Sequence, residues 1–199
     1  MSVTQRRSAS VGDAPLPYAR GALAGVSTWL LGYLVVYVWQ ADAVREALAG
    51  IGFVSRLLGG EAVPAWKGVA WLFLNAHFVA TEIPTVAGGT RTENFVTAEG
   101  GGSILLLALA PFLLAIAGWL VARAGESPAR DSRDGATAGA TIVLGYLPLS
   151  AGVAFTVSHS IGNTEAAIAP DLVTAVLLAG AVYPLAFGAL GGAVGASAD

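Results

Sequence analysis

The chain has 199 residues, 55% hydrophobic and only 12% charged, with ten Lys and Arg against 13 Asp and Glu. An ordinary soluble domain carries about twice that share of charge and needs polar side chains over its surface, so the composition argues against a water-soluble globule and against disorder. The absence of cysteine removes disulfides, thiolate nucleophiles, iron–sulfur clusters and thiolate zinc sites; with no basic block there is no electrostatic footprint for nucleic acid.

Residues 1–20 read as a polar tail carrying Arg6, Arg7 and Arg20 with Pro15 and Pro17. A spanning helix needs roughly 20 apolar residues, and four uncharged stretches qualify: 21–39, 103–122, 136–158 and 172–196. The first is too long for a cleaved signal and reads as a retained anchor. Tyr18, Tyr37, Trp39 and Trp119 sit near the ends of these stretches, as interfacial aromatics do.

Between the first two stretches, Val44, Ala47, Leu48, Ile51, Val54 and Leu58 recur at helical spacing opposite Asp42, Arg45, Glu46 and Arg56. They predict a separate amphipathic helix over 42–58, lying on the membrane surface or capping the bundle, weakened by Gly50 and Gly52. The run from Lys67 to Glu82 is too short to span with ease, contains Asn75 and His77, and reads as a half-inserted helix over 66–81. Trp66 with Phe73, and Trp71 with Phe78, are each seven apart and are expected to share a face, as an interfacial anchor or a docking surface for a lipid or partner. Residues 90–102, 126–134 and 159–170 read as loops.

The expected fold is therefore an all-α integral membrane bundle of four transmembrane helices with an amphipathic and a half-inserted helix; the alternative counts five spans. Cytoplasmic loops are enriched in Lys and Arg. Four spans put the arginine-bearing tail and the connector holding Arg123, Arg130 and Arg133 on one side, the cytoplasmic one, and make 41–102 an extracytoplasmic segment. Residues 21–199 then form a single membrane domain. Small residues four apart let helices approach closely, and Gly21/Gly25, Gly135/Gly139, Gly188/Gly192 and Gly191/Gly195 fit that pattern. They are expected to pack the first, third and fourth spans together in the cytoplasmic leaflet.

Candidate chemistry is sparse. His77, Glu82, His159 and Glu165 could hold a divalent metal, and Glu82 or His77 could relay a proton; the other reading makes them only hydrogen-bonding and headgroup-level residues. Pro111, Pro148 and Pro184 lie inside three spans and read either as hinges or as ordinary membrane-helix prolines. No phosphate loop, dinucleotide fingerprint or protease pattern is present, so no cofactor is expected. The arginine pair in the tail, the LLGYLVVYVW run in the first span and the Gly/Ala-rich last span resemble small multi-pass membrane proteins of halophilic archaea. That resemblance implies a membrane setting and no activity. The expected partners are the lipid bilayer and either further copies or other membrane subunits. The expected role is a non-enzymatic scaffold or accessory subunit, with a small permease or channel component as the alternative.

Overall fold

The computed structural model describes residues 17–85, 88–98, 103–124 and 129–197. Among them, four helices are long and apolar enough to cross a membrane: Tyr18–Leu57, Leu106–Arg123, Ser132–Thr156 and Leu172–Ser197. Each overlaps one of the four expected stretches. Residues 1–16 of the expected tail, the glycine run at 100–102 and residues 126–128 of the third connector lie outside the described residues.

The first helix, α1 (Tyr18–Leu57), is continuous over 40 residues, about 60 Å at the usual rise. The separate amphipathic helix expected over 42–58 is thus a correction: it is the second half of α1. Between Trp39 and Ala49 there is no Gly or Pro to stop a helix, and alanines recur at 41, 43, 47 and 49. Arg45 also pairs with Asp42 one turn back. Half of the expected apolar face holds. Val44 and Leu48 pack against Gly68 of α2 (Ala65–Asn75), whereas Val54 and Leu58 remain 48% exposed.

The lower half of the bundle is built on glycine. The second long helix is α3 (Leu106–Arg123); the third is α4 (Ser132–Ala140) followed by α5 (Val143–Thr156). The fourth comprises α6 (Leu172–Thr174), a π-helical stretch (Ala175–Val182) and α7 (Tyr183–Ser197). A Cβ on Gly118 or Gly139 would collide with the Gly188 carbonyl, and one on Gly135 with the Gly192 carbonyl. A Cβ on Gly188 would come within 2.7 Å of the Gly139 carbonyl oxygen. Gly21 and Gly25 let α1 close on Thr141, Ile142 and Tyr146, and Gly145 abuts the Ala22 carbonyl. The expected contact of first, third and fourth helices is therefore present. α3 joins it through Gly118 and through Gly191 against Ala115, a contact the spacing alone did not assign.

Prolines mark where the helices change winding. Before Pro148 the third helix tightens: Thr141, Ile142, Leu144 and Gly145 each bond three residues back. Before Pro184 the fourth widens into its π-helical stretch. Pro184 lies where that stretch passes into α7, inside the continuous helix Leu172–Ser197, so the change of winding falls where the proline interrupts the α-helical ladder.

The upper end departs from an all-α fold. Four short strands, β1 (Thr81–Pro84), β2 (Thr90–Glu93), β3 (His159–Ser160) and β4 (Ala167–Pro170), form an antiparallel sheet in the order β2-β1-β4-β3. Two stretches read as loops, 90–102 and 159–170, therefore contribute strands. With two to four residues each, the strands are too short to show an alternating pattern; long-range pairing creates them.

These contacts change what the glycines are expected to do on substitution. Gly188→Leu should abolish folding of the single chain, or lower its stability by at least about 3 kcal/mol, because backbone stands where the side chain would go. A Cβ on Gly50 would meet nothing within 4 Å, so Gly50→Ala should stabilise by about 0.5–1 kcal/mol. Thermal unfolding of the two variants in detergent checks both; a Gly188→Leu protein as stable as the parent would contradict the packing.

Candidate functional site

α2 is the element around which the polar interior is organised. Every residue from Gly68 to His77 is buried, as a helix apolar on all sides requires. It enters beside α1 and ends among the other helices. Phe73 meets Trp29 edge-on at 5.2 Å and lies 3.1 Å from a Cβ position on Gly32. The Trp71 indole N–H donates to the Val157 carbonyl at 3.0 Å, and the Trp29 indole N–H donates to Ser150 Oγ at 3.1 Å. The expected pairing of aromatic faces does not hold. Trp71 and Phe73 are 1% exposed, while Trp66 is 45% and Phe78 53% exposed. The helix ends at Asn75, earlier than the expected 81, so Phe78 is no longer on it.

The end of α2 is closed by a Schellman-type turn. The Phe78 N–H donates to the Asn75 carbonyl and the Val79 N–H to the Leu74 carbonyl. This requires a left-handed residue at position 78, normally glycine; here Phe78 adopts φ 60°, at a cost of about 1–2 kcal/mol. Asn75 holds the turn. Its amide nitrogen donates to the Val79 carbonyl (2.6 Å) and Thr81 Oγ1 (3.0 Å), and its side-chain oxygen accepts from the Phe95 N–H (2.8 Å). Its own carbonyl accepts from the Asn94 side chain at 2.9 Å. Asn94 in turn accepts from the Val96 and Thr97 N–H groups.

His77 lies at the tip, fully buried between the rings of Phe73, Tyr146 and Tyr183. Nδ1 is 2.8 Å from the Phe73 carbonyl, which can only accept, so Nδ1 carries the proton. Nε2 then accepts from the Tyr146 hydroxyl at 2.7 Å. The imidazole is a neutral strut linking α2 to the third helix.

The other three candidate metal ligands are elsewhere. His159 pairs with Ile168 and Glu82 with Ala169. Since 168 and 169 alternate, the two side chains leave opposite faces of the sheet. His159 Nε2 rests 3.3 Å from the Glu61 carbonyl, and Glu165 is exposed in the turn between β3 and β4. Among the described residues no group of three or more His, Asp or Glu could hold a metal. His77, Glu82, His159 and Glu165 are therefore not brought together.

A second polar clasp joins the far end of α1 to the β3–β4 turn. Ser55 Oγ donates to the Glu61 carbonyl (2.6 Å) and accepts from the Gly162 N–H (3.1 Å), and the Asn163 N–H donates to the Leu58 carbonyl. Lys67 Nζ donates to the Ser158 carbonyl at 2.6 Å. Ser55, Asn94, Tyr146 and Tyr183 were not singled out from the sequence. The signal for the tyrosines was a hydroxyl inside an apolar helix, which needs a partner when buried; each stands just before a helix proline.

The chain belongs to the family of unknown function DUF7978, whose model matches residues 1–199. No curated protein and no solved structure matches it.

Two outcomes follow from the tip of α2. His77→Ala should lower the thermal midpoint in detergent, because it removes the tie between the Phe73 carbonyl and the Tyr146 hydroxyl and leaves the buried hydroxyl without its acceptor. Separately, Phe78→Gly should raise stability by about 1 kcal/mol, whereas Asn75→Ala should lower it by about 2 kcal/mol or more by orphaning buried backbone groups. Equal midpoints for Phe78→Gly and Asn75→Ala in the same assay would refute this account of the turn.

Proposed function

We propose that this member of the family is a four-span integral membrane protein that acts as a non-enzymatic scaffold or accessory subunit of a membrane complex, with its N-terminus in the cytoplasm. The observation that carries the reading is the state of its interior. Among the described residues no buried side-chain nitrogen or oxygen lacks a hydrogen-bond partner, so the polar groups inside serve to hold helices and turns. The outward faces are apolar: Leu23, Leu34 and Val38 on α1, Phe112 on α3, Phe155 on α5 and Val194 on α7 are each more than half exposed. Lipid, rather than water, suits such a surface.

Charge supports the orientation. Among the described residues, four of the eight Lys and Arg (Arg20, Arg123, Arg130 and Arg133) belong to the end where α1 begins and α3 finishes, while seven of the nine Asp and Glu belong to the sheet end. At the first end Arg20 donates to the Ala124 carbonyl and Arg123 to the Gly195 carbonyl. The glycine faces are engaged within the chain, so a partner would use other surfaces.

A permease is the second reading. It is favoured by the meeting of a helix end at His77 with two proline-bearing helices at Tyr146 and Tyr183, an arrangement used around substrate paths in transporters. The dispersal of the four metal-ligand candidates weakens its metal-ion form.

The absence of native cysteine makes the orientation testable. Glu165→Cys should react with an impermeant maleimide in intact cells, and Arg130→Cys only after lysis; the reverse pattern sinks the orientation. Native mass spectrometry of gently extracted protein should show a stoichiometric complex. A lone monomer whose vesicles move a solute in a His77-dependent way would transfer the case to the permease.

A further inference from the structure

The two edges of the sheet are not alike. At one edge, residues 158–163 around β3 are bonded to α1 and α2 through Glu61, Leu58, Ser55 and Lys67. At the other, β2 is exposed at Thr90, Arg91 and Thr92. The pairing with β1 determines which of its backbone groups remain open. The Thr85 N–H donates to the Gly89 carbonyl, so 85 and 89 are a hydrogen-bonded pair. Antiparallel pairs alternate between bonded and non-bonded. Through the register Pro84↔Thr90, Ile83↔Arg91, Glu82↔Thr92 and Thr81↔Glu93, Arg91 and Glu93 direct their backbone groups at β1. Thr90 and Thr92 direct theirs outward, and among the described residues these groups have no other backbone partner.

We propose that β2 pairs with β2 of a second copy of this chain, antiparallel and centred on Thr92, joining two four-stranded sheets across a two-fold axis. This builds on the scaffold reading by naming the partner and the surface. Charge selects that register. Arg91 and Glu93 lie two apart on one face, already within 3.1 Å of each other. With the axis at Thr92, Arg91 faces the second copy's Glu93 and Glu93 faces the second copy's Arg91. Both are non-bonded pairs, in which side chains come closest. Thr92 faces itself as a bonded pair and supplies two N–H to carbonyl bonds. Charges on an edge strand commonly discourage pairing with any passing strand. Here they are self-complementary, so they reject other strands while accepting a second copy.

The test uses the full chain in its own membrane. Residues directly opposite in a bonded pair have Cα atoms about 5.5 Å apart, within disulfide reach. Thr92→Cys should therefore form a disulfide-linked dimer on mild oxidation. Thr90 and its copy would be four residues out of register, about 14 Å apart, so Thr90→Cys should not. R91E or E93R alone should lower the dimer fraction, read by native mass spectrometry, about tenfold or more, and the R91E/E93R double swap should restore it. Failure of Thr92→Cys to cross-link in a protein that still runs as an oligomer overturns the strand pairing and leaves the scaffold reading standing. A folded protein that runs as a monomer without other subunits overturns both.

Discussion

A helix that stops inside an apolar interior leaves backbone groups with no water to bond them. That constraint governs the upper half of this molecule. α2 ends at Asn75 among packed helices, and the orphaned groups are met by the turn at Phe78, the Asn75 amide and the Asn94 side chain. Asn75 also fixes where β1 begins through Thr81, and where the 94–97 turn sits through Phe95. The sheet is thus positioned from beneath by one buried amide. His77 adds the lateral tie, to Tyr146.

The two halves of the bundle reach close packing by different means. Below, backbone meets backbone at Gly118, Gly139, Gly188 and Gly192, and little side chain is left to order. Above, large side chains fill the space between the helices: Trp29, Trp71, Phe73 and Tyr146, with their polar atoms bonded. The change occurs around Ile142 and Pro148, where the third helix also changes its winding. Proline and glycine here set helix separation as much as helix direction.

Much of this was legible in the residues, because lipid-length apolar runs and four-residue glycine spacing are local patterns. The four long helices and the packing of the first, third and fourth of them followed from these patterns. The half-inserted segment was also legible as too short and too polar to span. What lay beyond reach was long-range. Nothing at 90–93 or 167–170 announces a strand until 81–84 arrives between them. Asn75 and His77 were visible as polar residues in an apolar run, but their partners are 19 and 69 residues away. The metal grouping failed for the same reason: sequence proximity to apolar stretches says nothing about which face of a sheet a side chain leaves by. The boundary expected after Trp39 rested on a change of polarity, which a helix can cross without breaking.

The length of α1 has a mechanical consequence. Its closest crossing is near Gly25, and its far end is tied to the β3–β4 turn through Ser55 and Leu58. Those points are about 45–50 Å apart along a single uninterrupted helix. A rod that long magnifies: a tilt of about 5° at the crossing sweeps the far end by about 4 Å. Anything that rocks the glycine contacts on one face of the protein is delivered, enlarged, to the strands at the other.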